Sequence, residues 1–263
     1  MSAYSSIILG ESSLVSYWKL DELSGTSAAD SKGSNTGTYS GSYTQGATGI
    51  VGDGGHAVQF GGGIGSVSVP DVANLRFTSS GFSLEGWIKQ TGKGGVTGGG
   101  FILAKYNSGG GFPGYAVKTV GTGGPVNFYI GSWVTGSTNL ASVTNWYHVV
   151  CTYSGTSWKI YLNGALDNSG TAASNLASTV ALTIGLDSLN NGCNGTLDEV
   201  AVYNAALSAG QVLTHYQAGI GALFAYSPVG LNSGVINSGS VVRSAYQLTL
   251  RQPGGSSGLS SPG

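Results

Sequence analysis

From Leu14 to Tyr203 the chain repeats one motif: a short run of β-branched and aromatic residues that ends in Gly, Asn, Ser or Asp. Such runs read as strands joined by turns, and their number restricts the chain to an all-β fold. Several of them alternate with period two. In FSLEGWIKQ, Phe82, Leu84, Gly86 and Ile88 oppose Ser83, Glu85, Trp87 and Lys89, and in SWKIYLNG, Trp158, Ile160 and Leu162 oppose Lys159, Tyr161 and Asn163. Each run is expected to bury one face. Asn163-Gly164 suits a type I′ hairpin because both residues tolerate positive φ. One helix is expected, at LSAGQVLTHYQAG, with Ser208 as N-cap, Gln211 completing a capping box and Gly219 stopping it.

A chain of 263 residues has room for one large sandwich or two small domains, and one domain with extensions is expected. Charged residues make up only 8% of it and glycine contributes 47 positions, which implies a surface of hydroxyls and amides. Disorder is excluded by 14 Tyr, 7 Phe and 5 Trp. The net charge of −1, with scattered basic residues, gives no footprint for nucleic acid or an anionic membrane. No stretch is long enough for a membrane-spanning helix. The opening residues lack a basic n-region and do not read as a secretory signal. Either a leader has been removed, or the chain leaves its cell by another route, such as within an assembling particle. After Gly219 the character changes. Tyr246, Leu248 and Leu250 alternate with Gln247, Thr249 and Arg251 as in a strand, and the last eleven residues read as a flexible tail. The expected organisation is an N-terminal arm over 1–13, a sandwich over 14–219, and an extension over 220–263. That extension pairs with another subunit as an assembly or anchoring strand, or is an ordinary edge strand of its own sandwich.

Four segments in order carry a family resemblance: LVSYWKLDELSGTSAADSKGSNTGTYSG, AVQFGGGIGSVSVP running on to FSLEGWIK, NWYHVVCTYSGTSWKIYLNG, and LTIGLDSLNNGCNGTLDEVAVYNAALSAGQVLTHY. Together they resemble the laminin-G-like jellyroll family of the concanavalin A-like lectin and glucanase superfamily, over about residues 14–219. The last segment matches through Gly195, Asp198, Glu199, Val200 and Tyr203 of its closing strand, then the helix from Ser208 to Tyr216. The resemblance implies two curved antiparallel sheets packed face to face. It also implies a structural calcium ion, carried over to Asp198 with Asp30 or the Gly61 carbonyl as helpers. The alternative for Asp198 is a hydrogen bond to a loop.

Glycoside hydrolases of the superfamily carry two close carboxylates on alternate residues of one strand, and no Glu-x-Asp-x-Glu or looser equivalent occurs here. The adjacent acids Asp21-Glu22 and Asp198-Glu199 would point to opposite faces of strands, and Glu85 stands alone in its strand, a structural acid. Gly109 to Gly114 matches G-x-G-x-x-G without a βαβ context, and Gly254 to Gly258 matches a nucleophile elbow within a low-complexity tail. His56, His148 and His215 have no metal-ligand spacing and read as structural. Cys151 reads as a buried thiol, with a Cys151–Cys193 bridge as the other reading. Asn194-Gly-Thr196 is a glycosylation sequon that matters only in a eukaryotic secretory pathway.

Recognition remains. Sugars stack on aromatic rings, and Tyr106, Tyr115, Tyr129 and Trp133 lie in or beside the Gly-rich, loop-like stretch from Gly92 to Gly136. Tyr129 and Trp133 could instead fill the core or cover an edge. The expected function is a non-enzymatic, surface-displayed structural or adhesion protein, extracellular or on a virion, such as a phage capsid decoration or fibre-type component. It would assemble with itself or with a capsid, tube or fibre lattice through its termini, and glycan binding is compatible with that role. A carbohydrate-binding module or adhesin domain of a secreted bacterial protein is the alternative, and a glycoside hydrolase a third.

Overall fold

The computed structural model describes residues 2–221, apart from 51, 53, 79–80, 93–99, 108–111 and 142–143. The extension expected over 220–263 from residue 222 onward, the elbow-like pattern within it, and Gly109 to Gly111 lie outside the described residues. Among the described residues the order is α1 (Ala3–Gly10), β1 (Leu14–Trp18), β2 (Ser27–Ala28), β3 (Gly37–Ser40), β4 (Tyr43–Thr48), β5 (His56–Gly61), β6 (Ser66–Val69), β7 (Phe82–Gln90), β8 (Gly100–Tyr106), β9 (Gly114–Thr119), β10 (Val126–Tyr129), β11 (Trp133–Thr135), β12 (Tyr147–Tyr153), β13 (Ser157–Leu162), β14 (Ala165–Thr171), β15 (Leu182–Ile184), β16 (Asn194–Tyr203) and α2 (Ala209–Gly219).

The strands form two antiparallel sheets. The first runs β14-β13-β12-β7-β16-β5-β4, with β1 also paired to β16, and the second runs β11-β10-β9-β8-β15-β6-β3-β2. The interior follows from the alternation. Leu84, Ile88, Val149, Cys151, Ile160 and Leu197 of the first sheet meet Leu103, Tyr115, Val117, Phe128, Leu182 and Ile184 of the second in one buried cluster. Cys151 and Cys193 are both buried and both free thiols. Asn163 and Gly164 take φ of 51° and 79° between β13 and β14, the positive pair that the hairpin requires.

Three expectations need correction. Strand β7 buries both faces rather than one, because Ser83, Glu85 and Trp87 on its outer side are roofed. The roof is made by α2 and by α1, which forms where only an arm was expected. Ser2 caps α1 by accepting from the Ser5 backbone N–H, and Tyr4 and Ile8 are buried beneath it. These side chains join Tyr17, Trp87, Val150, Tyr161, Tyr203, Val212 and Ala218 in a second apolar cluster on the outer face of the first sheet. The capping box of α2 forms and the helix ends at Gly219 as expected, but without a left-handed turn at that residue. The positive φ falls at Gly221, and Gly219 is needed because a Cβ there would lie 2.1 Å from Trp87 Cζ2.

Candidate functional site

No described helix covers the outer face of the second sheet, and there the expected aromatic residues come together, with one exception. The stretch from Gly92 to Gly136, read as loop-like, supplies strands β8 to β11. Directly opposed residues share a face, so Ala104, Ala116, Tyr129 and Trp133 form one row across the sheet, and Phe101, Lys118, Asn127 and Thr135 the next. A bulge in β8 turns both Ile102 and Leu103 inward and keeps Phe101, Ala104 and Tyr106 outward. The two alanines leave room into which the rings lean. Tyr106 and Tyr129 lie 4.7 Å apart by ring centroid, Tyr129 and Trp133 4.9 Å, and Tyr106 and Trp133 5.9 Å in an edge-on contact.

Each phenol is tied down. Tyr106 donates to Asp187 at 3.3 Å and Tyr129 to the Phe112 carbonyl at 2.8 Å. Burial, helped by the Asp187 charge, pushes the Tyr106 phenol up, and burial does the same for Tyr129, so both rings stay uncharged donors. Phe101, Tyr106 and Tyr129 are buried, whereas Trp133 keeps 36% of its surface exposed and Phe112 beside the cluster 44%. Trp133 is thus an exposed ring on a fixed aromatic base. Tyr115 does not belong to this group. It faces the interior between Phe77 and Phe82 and donates to the Leu75 carbonyl, so it is a core residue and not a ligand contact. The sequence reading missed Phe101, whose outward placement depends on the bulge, and Lys118 and Asn127, which face outward by the regular alternation of β9 and β10.

A second polar cluster sits under the roof of the first sheet. The Glu85 carboxylate accepts four hydrogen bonds, from Tyr4 at 2.8 Å and His148 Nε2 at 2.8 Å on one oxygen, and from Tyr203 at 2.6 Å and His215 Nδ1 at 3.0 Å on the other. His215 Nε2 faces Glu11 Oε1 at 3.2 Å, and Glu11 also accepts from Gln211 at 2.7 Å. With a carboxylate at each ring nitrogen, His215 must carry two protons. Burial opposes that charge, but Glu85 and then Glu11 overcome it and raise His215 to about 9. Burial would likewise raise Glu85, yet the charge of His215 and the hydrogen bonds of both histidines hold it well below the carboxylate range. One carboxylate therefore fastens both helices to the sheet.

Asp198 and Glu199 were expected to face opposite sides. A bulge in β16 gives Glu199 a φ of 54°, and both acids engage the roofed layer. Asp198 accepts from the Ile50 N–H at 2.9 Å, and Glu199 accepts from the Tyr17 hydroxyl. Burial raises Glu199 well above its usual range and keeps it neutral. These acids are fully buried, so none of them faces a cleft in which a glycosidic bond could lie.

The calcium expectation does not fit. Asp30 spends both oxygens on the backbone N–H groups of Tyr17, Lys32 and Asn35. Gly61 pairs with Asn194, four residues along β16 from Asp198 and so about 13 Å away at roughly 3.3 Å per residue. Among the described residues no three His, Cys, Asp or Glu side chains are grouped to hold a metal ion.

The sequence of residues 61–213 matches a laminin-G family model described as the concanavalin A-like lectin/glucanases superfamily. No curated protein sequence matches the chain. Among solved structures, domain 4 of AbnA, a GH43 extracellular arabinanase from Geobacillus stearothermophilus, in complex with arabinotriose, is similar with a TM-score of 0.59 and 20% identity, over 78% of this chain and 98% of that one. The Trypanosoma rangeli sialidase is similar with a TM-score of 0.60 and 14% identity over 79% of this chain, which spans only 33% of the sialidase. The binding domain of Paraclostridial Mosquitocidal Protein 1 gives 0.59 and 15% over 78% of this chain and 52% of that domain. At these identities the likeness is one of fold.

Proposed function

Because this chain belongs to the concanavalin A-like lectin/glucanase superfamily, we propose that it is a non-enzymatic glycan-binding module that uses the outer face of its second sheet. One observation carries the reading: Trp133, 36% exposed, seated on the buried rings of Tyr106, Tyr129 and Phe101. A saccharide presents C–H groups to such a ring and gains contact without displacing the rings beneath. Tyr106 and Tyr129 position Trp133 rather than touch the sugar. The AbnA domain, solved with arabinotriose, supports a saccharide as the ligand class. The sealed acids of the first sheet support binding without hydrolysis.

The test is a panel of oligosaccharides screened against the native chain and Trp133→Ala, followed by calorimetry on the best binder. A stacked aromatic anchor at the centre of a site accounts for about tenfold or more in affinity. Affinity unchanged in Trp133→Ala, or turnover of the bound sugar, overturns the reading. The setting we propose is a surface outside the cell, either of a virus particle or of a secreted bacterial protein, in keeping with the low charge. Light scattering on the native species separates the two: a high-order assembly favours the particle component, a monomer the secreted module.

A further inference from the structure

Among the described residues the aromatic face carries one cation whose position the stacking role does not explain. Lys118 extends along the row beside Trp133, and its ammonium lies 4.4 Å from the Trp133 ring centroid and 5.2 Å from that of Phe101. Two aromatic faces hold the charge electrostatically but accept few of its three N–H donors. No hydrogen bond or ion pair to Lys118 Nζ occurs among the described residues. Burial lowers its affinity for a proton, and Asp187 only partly restores it. Asp187 is itself engaged by Tyr106, by Asn191 and by the Leu189 N–H.

Directly across the sheet from Lys118 stands Asn127, whose side-chain oxygen is buried without a hydrogen-bond partner. Donors without acceptors and an acceptor without a donor thus lie side by side, along the row that flanks the exposed ring. A carboxylate or sulfate would meet the ammonium, and half-buried Asn127 would turn its covered Oδ1 outward to accept from a neighbouring hydroxyl. Cation, acceptor and ring together specify more than a neutral sugar.

We propose that this face selects an anionic saccharide, with the sugar ring on Trp133, its carboxylate or sulfate on Lys118 and a hydroxyl on Asn127. The inference rests on the glycan reading of Trp133. It names the ligand class that this surface prefers, and it makes Lys118 the residue that sets the preference.

The experiment is an array of neutral, uronic-acid-containing and sulfated oligosaccharides, probed with the native chain, Lys118→Met, Lys118→Arg and Trp133→Ala. Methionine keeps an apolar stem against the Trp133 ring and removes the charge. The native chain should prefer acidic over neutral sugars by roughly 10- to 100-fold, the range of a charge-assisted hydrogen bond. Lys118→Met should bring that ratio close to one, and Lys118→Arg should retain it. The carboxylated and sulfated arms identify which anion is taken. Trp133-dependent binding without an acidic preference, or a preference that Lys118→Met leaves intact, overturns this inference and leaves the glycan reading standing. The absence of any Trp133-dependent binding overturns the glycan reading itself.

Discussion

Raising the pH from about 6 to about 10 should loosen the two helices from the first sheet, and His215 should account for the change. In the folded chain its imidazolium bridges Glu85 and Glu11, and its pKa lies near 9 instead of the ordinary 6.5. Because the folded value is the higher one, the stabilisation is fully present below pH 6.5 and is lost as the pH rises through about 9. At 1.36 kcal/mol per pH unit the difference amounts to about 3 kcal/mol, an upper figure because the freed carboxylates can relax. For a domain of this size that corresponds to about 6–12 °C in Tm. The assay is denaturant unfolding followed by tryptophan fluorescence at a series of pH values, since Trp87 donates to Tyr4 within the clasp at 3.1 Å. His215→Gln serves as the reference, so that titrations shared by both proteins cancel. The native chain should lose its advantage over His215→Gln between pH 7 and 10. Parallel loss in the two proteins would refute a cationic His215 in the clasp.

Three further substitutions test the roofed layer. Glu199 is neutral because burial raises its pKa, so its contribution is present below about pH 4.5 and is lost as the pH rises toward the folded value. Stability of Glu199→Gln relative to the native chain should therefore improve from pH 4 to pH 8, and a difference independent of pH would count against a neutral Glu199. Gly219→Ala should cost about 1–3 kcal/mol by thermal unfolding, because its Cβ would collide with Trp87. Gly210→Ala in the same helix meets nothing nearer than 4.0 Å and should stabilise by up to about 1 kcal/mol, so equal effects at the two glycines would contradict the packing.

What could be read from the sequence was local. Alternation in FSLEGWIKQ and SWKIYLNG placed Leu84, Ile88, Trp158 and Ile160 in the interior, and Asn163-Gly164 and Ser208 to Gln211 carried their own turn and cap chemistry. Of the four aromatic residues chosen for a site, Tyr129 and Trp133 could be put on one face by counting, while Tyr115 falls on the other side of β9 from Ala116. Phe101 was hidden because the β8 bulge breaks the count, whereas Lys118 and Asn127 alternate with Val117 and Phe128 and are outward by the same counting. The clasp was hidden for another reason. Glu85, His148 and His215 are separated by 63 and 67 positions, and nothing local says that a helix will return over the strand that bears the acid. The roof of α1 was missed because a serine-rich segment of eight residues has little intrinsic helix preference and is held by the burial of Tyr4 and Ile8.

The two outer faces of the sandwich are differentiated by what lies in the row beside each aromatic group, and that difference argues for where a ligand goes. On the first sheet Trp87 is flanked by Tyr4, His148 and Tyr216 at ring distances of 6.2, 4.8 and 6.0 Å, and Glu85 is saturated by four donors. A carboxylate so satisfied has no oxygen left to take a proton from water or a sugar, and reaching it would require lifting a helix and stranding a buried charge. On the second sheet the rings are equally fixed, but the polar groups beside them are incompletely matched and one indole remains exposed. Buried polar atoms without partners are costly in a free protein, and a ligand that supplies the missing partners recovers that cost on binding. The same accounting that makes the Glu85 layer a structural fastening therefore makes the Lys118, Asn127 and Trp133 surface the place where binding energy is still available.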